Sequence, residues 1–308
     1  MDELRDADVN RYLLRLFARV SAILRRTPLI RLAWLGRLHN TLYGLFHRDR
    51  TLRAGGLVFE VDPRDRIIAK KLELYGEYEP FIGEFLLSLA LPGTTVIDVG
   101  ANIGLHTVPL AKRVGDDGKV VAFEPDPDNY TILCRNIEWN NVGNVTAHPV
   151  GLSSERGRAL LFQSSVNRGG LSLRRSNVAG GTEKMAPVDI TLEVADDYIG
   201  ETNPPISLIK IDVEGAEPLV IRGMQKLLEQ NDTAKLVFEF CPEYVASFGI
   251  DPLAFLHELE HGGFVLSVID EEKRRIREMK ATDIVTEGRS SDVALNLFAV
   301  RIPNATHG

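Results

Sequence analysis

The chain has 308 residues, 44% of them hydrophobic and 26% charged, a balance that excludes wholesale disorder, a collagen-like repeat and a multispan membrane protein. Two cysteines, Cys134 and Cys241, are too few for a disulfide framework or a cysteine-rich zinc site. The net charge of -7 is uneven: residues 1–50 carry ten arginines and five acids, Arg11 to Arg48 has eight arginines and no acid, and the other 258 residues sum to -12.

In chain order, residues 9–27 read as a basic amphipathic helix, with Leu13, Leu16, Phe17, Val20, Ile23 and Leu24 at helical spacing. Pro28 breaks it, and Leu29, Leu32, Trp34, Leu35, Leu38, Leu42 and Leu45 mark a second helical stretch. Arginines interrupt every apolar run, so neither a membrane span nor a signal-peptide layout is present. This extension suits packing on the main domain, homo-oligomerisation or peripheral membrane contact. Nucleic acid is not the expected partner, because the rest of the chain is acidic and no recognition motif accompanies the arginines. A cytoplasmic protein, touching a membrane at most from its surface, is the expectation.

Residues 51–75 form a β-rich lead-in, and residues 72–93 read as a helix closed by Leu91-Pro92-Gly93. From residue 94 the pattern becomes β-α. Strands are predicted at 95–100, 119–125, 144–154, 206–215, 235–242, 264–270 and 293–301, and helices at 126–141, 216–230 and 252–262. Such alternation argues for a mostly parallel sheet with helices on both faces. Residues 155–205 depart from it and suggest a hairpin with a polar, glycine-rich loop.

The first β-α turn reads Asp98-Val99-Gly100-Ala101-Asn102-Ile103-Gly104, whose glycines allow a tight turn and close approach to a ligand. Glu124 ends the next strand, 26 residues after Asp98, where a carboxylate suits the two hydroxyls of a ribose. A dinucleotide fingerprint is GxGxxG; here the turn is GANIG behind an aspartate, which repels a pyrophosphate and favours a cationic nucleoside cofactor over NAD.

These blocks resemble a known class. Residues 98–104 look like motif I of class I S-adenosylmethionine-dependent methyltransferases, and Phe123-Glu124-Pro125-Asp126-Pro127 looks like their second motif. Leu208-Ile209-Lys210-Ile211-Asp212-Val213-Glu214-Gly215-Ala216-Glu217, continued by Ile221-Arg222-Gly223-Met224, resembles the FkbM signature. The resemblance covers about residues 76–270 and implies an α/β Rossmann-like three-layer sandwich, with a seven-stranded mostly parallel sheet and one reversed hairpin. Around that core, the methyltransferase domain is expected over 76–302, preceded by the 51–75 lead-in and the 1–50 helical extension. The resemblance also implies methyl transfer to a hydroxyl of a sugar, glycolipid or small natural product. By similarity Glu124 holds the ribose, the Gly100–Gly104 turn passes the methionine part, Asp98 sits near its ammonium, and Gly151 and Leu152 approach the adenine. Ala101, Asn102, His106 and Pro125 complete the expected cofactor pocket.

Asp212 and Glu214 lie beyond the strand ending at Ile211, where ligands of open α/β sheets bind. Asp212 is the first candidate to take the acceptor's proton, with Glu214 beside it, Lys210 on the same strand face and Glu239 ending another strand nearby. Asp212, Glu214 and Glu239 also offer hard oxygen ligands of the kind Mg²⁺ accepts, and sequence leaves metal use open. Glu217 reads as a helix-start acid. His106 and His148 are alternative proton acceptors. Asn167, Arg168 and Ser172 are candidate substrate contacts in the irregular loop. A nitrogen or nucleic-acid acceptor, and a non-catalytic module that binds the cofactor, are the alternatives.

Overall fold

A computed structural model describes residues 51–62, 68–163, 170–178, 186–199, 205–291 and 294–301. The 1–50 extension lies outside the described residues, so its expected helices are not placed. The chain enters through a hairpin, β1 (Thr51–Ala54) and β2 (Leu57–Glu60), followed by α1 (Ile68–Tyr75) and α2 (Pro80–Leu89). The single helix expected over 72–93 is therefore two. Gly76 has φ 72° and Pro80 opens α2, a pairing that ends one helix and starts another.

The core then alternates: β3 (Thr95–Val99), α3 (Thr107–Val114), β4 (Lys119–Phe123), α4 (Pro127–Trp139) and β5 (Val145–His148). Asp126 caps α4, its carboxylate accepting from Asn129 N at 2.9 Å. Strand β5 stops before Pro149, and β6 (Gly151–Leu152) joins a different sheet, so the strand expected over 144–154 is divided. After β7 (Gly157–Leu161), β8 (Val188–Glu193), α5 (Ala195–Tyr198) and β9 (Ile206–Ile211), the helix expected over 216–230 is broken into α6 (Glu217–Arg222) and α7 (Gln225–Gln230). The break falls at Gly223, where any Cβ would lie 2.2 Å from Ser153 O. The rest is β10 (Lys235–Phe240), α8 (Pro242–Ser247), α9 (Pro252–His261), β11 (Phe264–Asp270), β12 (Arg275–Glu278), α10 (Ala281–Ser290) and β13 (Leu295–Arg301).

The main sheet runs β12-β11-β13-β10-β9-β3-β4-β5. β13 is antiparallel to both neighbours, while β10, β9, β3, β4 and β5 are parallel. Seven strands match the expected class I sheet with its reversed hairpin, and β12 adds an eighth at the edge. The central strands are buried on both faces, as their near-continuous apolar runs require: all five residues of TVIDV and all six of ISLIKI are covered. One face packs Val96, Leu208 and Val237 with Leu86 of α2 and Val108 of α3, and the other packs Ile97, Val99, Ile209 and Ile211 with Val220, Leu227 and Phe255. A small second sheet, β6-β8-β7, accounts for the irregular region.

The lead-in is stitched to the core by two asparagines one helical turn apart. Val58 and Glu60 of β2 turn their backbone groups away from β1. Asn140 takes Val58 N (2.9 Å) and donates to Val58 O (2.7 Å). Asn136 takes Glu60 N (2.6 Å) and donates to Glu60 O (3.1 Å) and Ile103 O (2.7 Å). Phe59, on the same strand, is buried with Val96 and Val108. Asn136→Ala strands these partners, and urea unfolding is expected to show a loss of about 2–4 kcal/mol; a change within about 0.5 kcal/mol would mean the hairpin does not depend on it.

Candidate functional site

The site is built where β3 and β9 lie side by side. Their register places Asp98 opposite Lys210, and period-two alternation returns Asp212 to the same side. Lys210 Nζ lies 3.5 Å from Asp98 Oδ1 and 3.4 Å from Asp212 Oδ2, with its side chain only 8% exposed. Burial opposes its charge, but the carboxylates of Asp212, Asp98 and Glu79 outweigh burial and hold the ammonium above its ordinary range. Asp98 is fully buried and also accepts from Thr107 Oγ1 at 2.6 Å. Asp212 is different: its side chain is 40% exposed and its N–H is fixed to Val99 O at 3.0 Å.

The crossing is tight. A Cβ on Gly100, at φ 79°, would lie 1.9 Å from Asp212 O, so only glycine fits. Gly100 N and Ala101 N both donate to Phe123 O, at 2.9 Å. Asn102 has φ 51°, and its N–H donates to Glu124 Oε2 at 2.8 Å; Asp126 N donates to Glu124 Oε1 at 2.9 Å. Glu124 therefore ties the two β-α turns together. Its burial pushes the carboxyl up to about 8 despite those two donors.

A cleft with about 910 Å³ of open space, its solvent-filled mouth included, lies beyond these strand ends. Gly100, Ala101, Asn102, His106, Glu124, Pro125, Gly151, Leu152, Lys210 and Asp212 all line it. The small sheet forms one wall through Leu152, Leu161, Ile190 and Leu192. Of the expected cofactor residues only Asp98 and Gly104 do not line the cleft. Gly104 backs the turn, with φ 89° against Leu133, and Asp98 acts through Lys210. An apolar wall, a carboxylate at the second strand end and an acid-rich opposite end fit a cationic nucleoside amino acid.

Glu214 has φ 53°, and its carbonyl accepts from Ser172 Oγ (3.0 Å) and Asn177 Nδ2 (3.1 Å). Ser172 is 1% exposed and bridges Phe162. The expectation that Ser172 touches substrate is thus corrected: its hydroxyl is spent on the Glu214 backbone. Asn167 and Arg168 lie outside the described residues. Burial first, then the charges of Asp212 and Glu217, push Glu214 up to about 9. Glu239, half-buried on β10, is pushed well above its usual range by burial and the charges of Asp212 and Glu214. Glu217 is the helix-start acid expected: Oε1 accepts from Val213 N (3.0 Å) and Gly215 N (3.2 Å), and burial raises it to about 7. Among the described residues no three His, Cys, Asp or Glu side chains are arranged to hold a metal ion.

Other expectations divide. His106 lines the cleft with Nε2 3.7 Å from Glu79 Oε2. His148 does not line it; the ring stacks on Phe123 and meets Tyr198 Oη at 3.3 Å. Cys241 caps α8, and burial leads the shift that pushes its thiol up to about 11. Sequence reasoning missed Tyr78, in the cleft wall, and Glu79, at φ 47°. Burial works against Glu79, yet the hydrogen bond and charge of His106, with Lys71 and Lys210, pull it down to about 2. The signal was present in Gly76-Glu77-Tyr78-Glu79-Pro80, a glycine and a proline bracketing acids and an aromatic inside a supposed helix.

Comparison with known proteins shows the family. The Methyltransferase FkbM domain model matches residues 98–266, more than half of the chain. Methyltransferase 1 of Beauveria bassiana is 30% identical over 144 residues, 42% of this chain and 57% of its own. The hexuronic acid methyltransferase AglP of Haloferax volcanii is 30% identical over 161 residues, 51% of this chain and 60% of its own. The chain thus spans less than two thirds of the length of either. A solved SAM-dependent O-methyltransferase from Thermotoga maritima has 16% identity and a TM-score of 0.42, covering 86% of this chain and 83% of that one. With the domain match extending from the Asp98 turn through Asp212 to β11, this chain belongs to the FkbM family of S-adenosylmethionine-dependent methyltransferases.

Proposed function

We propose that the protein is an O-methyltransferase that transfers a methyl group from S-adenosylmethionine to a hydroxyl of a sugar, glycolipid or small natural product. The observation that carries this reading is the partly exposed Asp212 carboxylate, held at the mouth of the cleft by the buried Lys210 ammonium. A hydroxyl is a poor nucleophile until its proton has somewhere to go. Asp212 is positioned to accept it, while Glu214 and Glu239, raised by burial and by their acidic neighbours, hold theirs near neutral pH. The name of the Haloferax relative, which acts on a hexuronic acid, favours a sugar acceptor.

S-adenosylmethionine supplies a methyl carbon activated on a sulfonium. Glu124 would accept from the ribose hydroxyls, the Gly100–Asn102 turn would face the methionine part, and Gly151 and Leu152 would flank the adenine. Bound there, the cofactor would supply a methyl that leaves its sulfur, with S-adenosylhomocysteine as the leaving group, as the acceptor oxygen takes it; Asp212 would accept the hydroxyl proton and Lys210 would keep that carboxylate in place. A cytoplasmic location goes with this reading; among the described residues no helix is long and apolar enough to cross a membrane.

Calorimetry with S-adenosylhomocysteine and with NAD tests the cofactor: saturable binding is expected for the first and none for the second. Asp212→Asn is expected to lower kcat by about 100-fold or more while S-adenosylhomocysteine affinity changes less than about threefold; transfer at the wild-type rate would remove Asp212 from proton transfer. Glu124 provides a pH test. Ribose hydroxyls donate to the ionised carboxylate, whereas the empty cleft favours the protonated one up to about pH 8. Binding should therefore release a proton, and affinity should rise with pH up to about 8 and then level. Buffers of different ionisation enthalpy report that proton directly, and Glu124→Gln should abolish the release.

A further inference from the structure

S-adenosylmethionine carries a sulfonium, an ammonium and, at its methionine end, a carboxylate. The acids around Lys210 suit the two cations but repel the carboxylate, which needs a donor or a cation of its own once it leaves water. Among the described residues lining the cleft, the basic side chains are Lys210 and His106. Lys210 is already shared between Asp98 and Asp212. The task falls to His106.

His106 stands at the start of α3, two residues past Gly104, where the helix dipole also favours an anion. Its side chain is 12% exposed, and Nε2 lies 3.7 Å from Glu79 Oε2. Nδ1 has no partner among the described residues. An imidazolium donates from both nitrogens, so one can face Glu79 while the other meets the carboxylate of a ligand.

Glu79 does not cancel this. Its other oxygen, Oε1, meets Lys71 Nζ at 3.4 Å, so one negative charge is divided between two bases. Lys71 Nζ in turn stands over the Tyr78 ring, 4.4 Å from its centroid, and the Tyr78 and His106 rings lie 6.0 Å apart. Tyr78 lines the cleft beside His106. The charge of Glu79 reaches Lys210. The group therefore lies toward the Asp98 and Asp212 end of the cleft, away from the adenine side at Gly151 and Leu152.

We propose that His106 binds the carboxylate of the cofactor's methionine end through Nδ1, and that Glu79, fixed by Lys71, is the positioning residue that holds the imidazole for it. The inference rests on the S-adenosylmethionine reading and adds the group that tells an amino acid from a plain amine at that end.

The probes are S-adenosylhomocysteine and its decarboxylated analogue, which keeps the ammonium and lacks only the carboxylate. Calorimetry on the full wild-type chain is expected to show a preference of about tenfold or more for S-adenosylhomocysteine. His106→Phe keeps an aromatic ring in place; it should weaken S-adenosylhomocysteine about tenfold and leave the analogue within about twofold. Glu79→Gln keeps the shape and removes the charge, and it should cut the wild-type preference by about threefold or more. A merely structural role would weaken both ligands alike. Equal affinity of the wild type for the two ligands overturns the proposal, as do variants that weaken both equally or neither. Absence of any S-adenosylhomocysteine binding by the wild type overturns the cofactor reading itself, and the proposal with it. A second measurement alters no residue: the imidazole nitrogen resonances of His106 in the wild type should move with S-adenosylhomocysteine and stay in place with the analogue. The same response to both overturns the assignment.

Discussion

Everything at the cofactor end is arranged around one buried cation. Lys210 is only 8% exposed, so burial opposes its charge and acids are needed beside it; Asp98 is there by register and Asp212 by strand alternation. A buried ion pair seldom adds much net stability, but removing one member leaves an uncompensated charge, a loss of about 3–5 kcal/mol. This explains why an aspartate occupies the middle of an otherwise apolar strand. Asp98 anchors the lysine, the lysine aims Asp212, and the aim is fixed because the crossing at Gly100 leaves no room for the strands to shift.

Backbone strain collects around the same cleft. Of the five non-glycine residues with positive φ among those described, three are Glu79, Asn102 and Glu214. Each is held by a separate restraint: Glu79 by His106 and Lys71, the Asn102 N–H by Glu124, the Glu214 carbonyl by Ser172 and Asn177. Such conformations persist only where surroundings over-determine them, and their clustering at a site is a mark of pre-organisation. Of the three, Asn102 lines the cleft itself, while Glu79 and Glu214 adjoin lining residues Tyr78 and Val213.

Much of this was legible in the sequence, for physical reasons. Parallel strands buried on both faces announce themselves as apolar runs, so 95–99, 206–211 and 235–240 were readable, and the glycine turn behind Asp98 pointed to a nucleoside. Glu217 was readable because an acid at a helix start has a known partner in the backbone. The illegible parts depended on long-range contact. At Gly223, between α6 and α7, only glycine fits because Ser153 O, seventy residues earlier, lies where a Cβ would be. Ser172 looked like a polar loop residue available to substrate until the Glu214 carbonyl claimed its hydroxyl. β12 and α10 carry weak patterns, since β12 is a half-exposed edge strand with three charged residues in four. Tyr78 and Glu79 were hidden by an amphipathic stretch that read as one continuous helix.

The asparagine pair at the C-terminal end of α4, Asn136 and the capping Asn140, has a consequence for how the molecule avoids its own kind. A two-stranded ribbon ordinarily presents an open row of backbone donors and acceptors, an invitation to pair with the same ribbon of another chain. Here Asn136 and Asn140 occupy that row with side-chain amides, offering donor and acceptor in the order a neighbouring strand would. The ribbon is closed by a counterfeit strand that cannot be extended. Because the counterfeit lies about eighty residues downstream, a ribosome must deliver α4 and the asparagine after it before that edge is sealed, and until then the ribbon's backbone groups stand open to other partners.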